Sequence, residues 1–221
     1  MNIYFDIETC PARPDVLKAL MPDFEGRGGT KDPAKIKEQI AAKQQAFIED
    51  APLHAEIGQV TMIGYIKSDG KFYCDSQSKT LSEANILREF WALWKATTMG
   101  TQLVVDAKFI GHYIRGFDVP FLIRRSWILG VPVPYNVLTD RGYLNDKFVD
   151  VHATWQLGDK QESISLEMLS KVFGVRQKGK AMSGAEVPAA WLAGKHKECI
   201  DHCRDDLEIT KAVHEQMQFS P

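Results

Sequence analysis

The sequence predicts an α/β fold built on a mixed β-sheet, and three observations carry that prediction. Segments of period two alternate with amphipathic helical segments along the chain, one strand pair is joined by a tight turn that forces antiparallel pairing, and the chain is long enough to bury a full core. Its 221 residues are 44% hydrophobic and 25% charged, within the usual size of one domain. A single globular domain over 1–221 is expected.

Ile3, Phe5 and Ile7 alternate with Tyr4, Asp6 and Glu8, the pattern of an opening strand that ends at Thr9-Cys10-Pro11. A polar insertion follows over about 22–58. Gly26, Gly28 and Gly29 precede a Lys-, Gln- and Ala-rich helical stretch, 33–49, and suggest a hinge leading to a mobile helix. A solvated surface helix and a lid over substrate both fit that composition. Residues 60–66 read as a second strand, and Ser68-Asp69-Gly70 supplies the turn into a third over 71–74. Thr80 and Glu83 form a capping box for a helix whose Ile86, Leu87, Phe90, Trp91, Leu93 and Trp94 make a broad apolar face. A short strand at 109–111 leads to Phe117-Asp118, and Pro120 then sits in the first turn of a helix closed by Gly130. Residues 149–151 read as the last strand, 165–173 as a helix closed by Gly174, and 196–217 as the final helix.

A net charge of −2 and a pI near 6.3 do not mark a nucleic-acid binder, although acids clustered at a metal site can mask a basic groove. No apolar run reaches the ~18 residues of a membrane span, and the N-terminus lacks a basic stretch followed by an apolar block. A soluble, cytoplasmic protein with no membrane association is expected. The four cysteines (Cys10, Cys74, Cys199, Cys203) contain no CxxC pair and read as reduced, buried thiols. His196, Cys199, His202 and Cys203 share one helix, which cannot wrap four ligands tetrahedrally around zinc.

The acids are the chemically suggestive residues. On a strand, Asp6 and Glu8 project from one face about 7 Å apart. Unneutralised, they would repel each other and raise each other's pKa, so a divalent cation is their natural partner. On the last helix, at about 100° per residue, Arg204, Glu208, Lys211 and Glu215 define a wet face. His202 and Asp206 fall within the apolar arc of Ile209, Val213 and Met217 instead. An inward carboxylate one turn after an imidazole needs a partner or a metal; a structural His202–Asp206 pair is the alternative. Asp118, taken by itself, is an N-cap for the helix near Pro120.

Placed in order, these segments resemble the DnaQ-like DEDD exonuclease superfamily, above all the exonuclease domain of family B DNA polymerases and its stand-alone bacterial and phage relatives. The first motif, DxE in an apolar strand, matches Phe5-Asp6-Ile7-Glu8-Thr9. The second, an aspartate after an aromatic in a GxN-like segment, matches Gly111 to Phe121 around Phe117-Asp118. The third, normally Tyr and then Asp four residues later, reads His202-Cys203-Arg204-Asp205-Asp206. The resemblance implies a ribonuclease-H-like mixed sheet flanked by helices, in a bacterial cell or phage-infected host. It also implies two Mg²⁺ or Mn²⁺ ions held by Asp6, Glu8, Asp118 and Asp206 for 3′→5′ hydrolysis of single-stranded DNA or a DNA 3′ end.

Two departures from the family pattern stand out. Tyr113 replaces the Asn of the second motif, which alters a substrate contact. His202 replaces the water-orienting Tyr, and with a reference pKa near 6.5 it should make activity fall below about neutral pH. Thr9, Tyr113, Phe117, Lys178 and Lys180 are the substrate-binding candidates, although Phe117 suits the core better than a base-stacking platform and a solvated loop also fits the two lysines. An RNA-trimming exonuclease of the ribonuclease D kind and a catalytically impaired nucleic-acid-binding module are the competing readings.

Overall fold

The opening strand, β1 (Asn2–Pro11), lies at the centre of a five-stranded sheet of order β3-β2-β1-β4-β5, with β2 (Gly58–Ile66), β3 (Phe72–Ser76), β4 (Lys108–Gly111) and β5 (Phe148–Asp150). The structure is a computed structural model that describes residues 1–29, 32–78, 80–99, 107–175 and 182–218. β1, β2 and β3 pair antiparallel through the expected hairpin, whereas β1, β4 and β5 run parallel, so the sheet is mixed as the turn chemistry requires. The helices are α1 (Pro14–Leu20), α2 (Pro33–Asp50), α3 (Glu83–Thr98), α4 (Asp118–Ile128), α5 (Val151–Gln156), α6 (Leu166–Val172), α7 (Val187–Leu192) and α8 (His196–Gln216).

Alternation along β1 divides the interior in two. Ile3, Phe5 and Ile7 face a core shared with Ile86, Phe90 and Trp94 of α3 and Phe121 and Leu122 of α4. Tyr4 and Cys10 face a second core with Leu169 of α6, Trp191 of α7, and Cys203, Leu207 and Val213 of α8. Helices therefore cover both faces of the sheet.

Several local expectations change. Ser82, not Thr80, caps α3 by accepting from the Asn85 N–H. Glu83 is released from a capping box because its carboxylate grips Arg125 at 2.8 Å through both Nε and Nη2, and also accepts from the Val60 N–H. That buried pair ties α3 to α4. The last strand ends at Asp150, one residue earlier than expected, and the Asp150 side chain caps α5, a helix that was not expected. Helices α1, α5 and α7 are only six or seven residues long, too short to show a clear 3.6 period in sequence.

In the insertion, α2 buries no residue, as a solvated surface helix would. The glycine segment before it folds back along the helix. Phe24 meets Phe47 edge to face, Lys43 donates to the Glu25 carbonyl, and Gly26 lies so close to Ile36 that a Cβ would approach it to 3.0 Å.

Candidate active site

On the second face of β1, Asp6 and Glu8 continue the row that begins with Tyr4 and ends with Cys10. A register shift lies between Glu8 and Thr9: Glu8 pairs with Met62 and Thr9 with Val60, leaving Thr61 as an extra residue in β2. Such a bulge re-aims neighbouring side chains. Here the Thr61 hydroxyl locks it by donating to the Glu8 carbonyl, 2.9 Å.

Across the sheet Asp6 pairs with Gly64. A Cβ there would lie 2.5 Å from Cys203 Sγ and 3.0 Å from Leu207 Cδ1. Glycine thus lets α8 settle directly on the strands beside the acids, a use of glycine in a strand that marks close approach.

That approach delivers the α8 residues. His202 is buried, with Nε2 at 3.7 Å from Glu8 Oε1 and 3.4 Å from Asp206 Oδ2, so the imidazole lies between a strand acid and a helix acid. A carboxylate oxygen of Asp6, one of Glu8 and the Cys203 sulfur all lie within 4.8 Å of one another. Burial pushes the Cys203 thiol well above its usual pKa, and the charges of Asp6, Glu8, Cys74 and Asp206 push the same way. The thiol therefore stays neutral and forms the wall behind the carboxylates. Two carboxylates this close, with oxygen donors only, suit a hard divalent cation.

Asp118 reaches β1 from the other side. It does not cap α4: Phe117 occupies the N-cap position without a side-chain bond, and Asp118 is the first helical residue. Its Oδ1 accepts from the Ile7 N–H at 3.1 Å. β4 accompanies β1 only as far as Tyr4, so this carboxylate takes the place of a missing strand partner between Asp6 and Glu8. Burial raises the Asp118 pKa from 3.8 to about 7; the bond from Ile7 opposes that rise and the charge of Asp150 adds to it.

Asp150, which the sequence reading placed only in a strand, organises the loop before Asp118. Its carboxylate accepts from the N–H groups of Tyr113 (2.9 Å), Arg115 (2.8 Å) and His152 (2.9 Å). Tyr113 is held with φ at 62°, half exposed, its ring 5.0 Å from that of His152 and against Gly116. A tyrosine in the left-handed region is strained, and the Asp150 clamp holds it there.

The remaining candidates separate. Thr9 is buried and its hydroxyl donates to the Pro52 carbonyl at 2.7 Å, tying β1 to the end of the insertion. Phe117 packs at the edge of the first core against Phe121. Lys178 and Lys180 lie outside the described residues. Sequence reasoning missed Gly64, Cys203 and Asp150. The glycine inside an apolar strand was the one available signal.

A mixed sheet in this order, helices on both faces and acids on the central strand define a ribonuclease-H-like α/β protein. Residues 48–218 match the RNase_H superfamily, and the chain belongs to it. The matched span takes in Asp118, His202 and Asp206 but begins after Asp6 and Glu8. The fold is similar to that of the family B DNA polymerase from the hyperthermophilic archaeon Pyrobaculum calidifontis. The TM-score is 0.59 at 18% identity, and the match covers 98% of this chain and 24% of that one. This chain therefore spans about a quarter of the polymerase's length. No curated protein matches. Superfamily membership supports a nuclease-type activity on nucleic acid, of the kind that typically uses divalent metal ions. Among the described residues no helix is long and apolar enough to cross a membrane.

Proposed function

We propose that this chain is a 3′→5′ exonuclease that hydrolyses DNA from its 3′ end with two divalent cations, Mg²⁺ or Mn²⁺. The observation that carries the reading is the position of His202 Nε2 between Glu8 and Asp206, on the face of β1 that also holds Asp6. In this reading Asp6, Glu8, Asp118 and Asp206 hold the cations, which supply a lowered water pKa and charge stabilisation at the phosphoryl oxygens. His202 is the acceptor for the proton of the attacking water in this reading, with Glu8 and Asp206 beside its ring. Water oxygen bonds to phosphorus, the P–O3′ bond breaks, and the leaving 3′ oxygen takes a proton from solvent. In this reading the half-exposed ring of Tyr113 faces the terminal nucleotide.

Degradation of 3′- and 5′-labelled DNA and RNA in Mg²⁺ or Mn²⁺ tests this, beside an Asp6→Ala variant. The expected result is stepwise loss of nucleotides from DNA 3′ ends, reduced at least a thousandfold in the variant, about 4 kcal/mol of barrier. Preferential trimming of RNA would replace the substrate class. Absence of cleavage of any substrate would replace the enzyme with a binding module.

A further inference from the structure

The outer face of α4 carries a feature that the acid site does not use. A concavity of about 400 Å³ runs beside the helix. Its described lining includes two guanidinium groups, Arg115 and Arg124, and two large aromatic rings, Trp127 and Tyr143, with no carboxylate among them. Trp127 is 64% exposed and Tyr143 69% exposed. Isolated exposed apolar residues are ordinary, but two aromatic rings sharing one groove with two arginines are the composition that binds single-stranded nucleic acid.

The groove is built rather than incidental. Arg115 is fixed by donating to the carbonyls of Leu144, Asn145 and Phe148 at 3.0 to 3.3 Å, and its amide is held by Asp150. The Leu138–Leu144 bridge holds the short loop that presents Tyr143. Arg124 is exposed and has no ion pair among the described residues, so its charge faces solvent. Beyond Tyr143 a second concavity of about 610 Å³ adds Arg141, but also Asp140 and Asp146. The uninterrupted positive stretch is therefore the one along α4.

The groove starts at the N-terminal end of α4, the end that carries Asp118. Pro120, two residues after Asp118, lines the groove, and Trp127 lies about 10 Å further along the helix at 1.5 Å per residue. That length accommodates on the order of three nucleotides at a stacked rise of about 3.4 Å.

We propose that this α4 groove is a binding track for the single strand upstream of the scissile end, with Trp127 and Tyr143 stacking on bases and Arg124 meeting phosphate. The proposal rests on the nuclease reading only for the identity of the end being cut; the strand-binding chemistry is independent of it. Its test is therefore run in EDTA, where nothing is hydrolysed. Fluorescence anisotropy of labelled oligothymidylate and oligouridylate, about two and about ten nucleotides long, measures the affinity gained with length. In the wild type the longer strand should bind more tightly. In Trp127→Ala that gain should shrink about tenfold and return in Trp127→Phe. In Arg124→Ala the slope of log affinity against log salt should fall by about one.

A length gain identical in wild type and Trp127→Ala, with correct folding shown by circular dichroism, overturns the proposal. A gain carried by only one of the two oligomers assigns the track to that sugar. Trp127-dependent binding with no cleavage when metal is restored keeps the track and overturns the nuclease reading instead.

Discussion

The two faces of β1 differ in almost every physical respect, although their residues alternate along one strand. Ile3, Phe5 and Ile7 enter an interior of close aromatic contacts, where Phe5 meets Phe90 at 5.3 Å and Trp94 stacks on Phe148 at 4.3 Å. Tyr4, Asp6, Glu8 and Cys10 enter an interior interrupted by acids, a histidine and thiols. Apolar burial contributes about 25 cal/mol per Å², while every buried carboxylate without a counter-charge works against the fold. The comparison teaches a division of labour: one face holds the strand, so that the other can carry groups that by themselves would push it apart.

The sharpest way to break that account is to cut each face once. Phe5→Ala removes a fully buried ring and should lower stability by about 3–5 kcal/mol. Asp6→Asn, one residue on, should lower it not at all, because it removes a charge from an acid cluster. Urea denaturation in EDTA reads both. Equal losses would mean that the polar face also stabilises the strand.

Asp118 gives the next largest effect, and its sign follows from its pKa. The folded value is raised by burial from 3.8 to about 7, so between those pH values the folded chain keeps a proton that the unfolded chain has released. The stability this group contributes is complete below about pH 4 and is lost as pH rises through about 7. Asn at this position keeps an acceptor for the Ile7 N–H and does not titrate. Asp118→Asn should therefore match the wild type at pH 4 in EDTA and exceed it by on the order of 4 kcal/mol at pH 8. Mn²⁺ should narrow the difference by stabilising the wild type. A difference independent of pH would show that this carboxylate is solvated.

Much of this contrast was legible in the residues. Period-two alternation in β1 separated the faces, and the helical wheel of α8 put His202 inward before any contact was known; it is buried in the structure. What stayed hidden depends on tertiary partners. Glu83 offered a capping box because Thr80 stood three residues before it, yet Arg125, distant in sequence, wins its carboxylate. Asp118 looked like a helix cap because nothing local shows that the Ile7 amide lies unpartnered beyond the end of β4. Asp150 gave no signal at all, since its work is to hold the backbone of a loop 35 to 37 residues earlier in the chain.

His202 supplies the smallest effect and the finest discrimination. Its ring has two candidate uses on the polar face, proton acceptor for water or spacer between Glu8 and Asp206, and the two respond differently to substitution. His202→Phe fills the same space but accepts no proton, so the acceptor role predicts a fall in kcat of about a hundredfold, roughly 2.7 kcal/mol. It also predicts loss of the acid limb of the pH–rate profile. A spacer role predicts a different pattern: the carboxylates lose their separator, apparent Mn²⁺ affinity changes, and the acid limb survives. Measuring the profile at saturating Mn²⁺ separates them, because metal occupancy is then restored and only proton transfer remains to respond. An acid limb that persists unchanged would leave His202 as a structural member of the polar face and assign water activation to the metal ions alone.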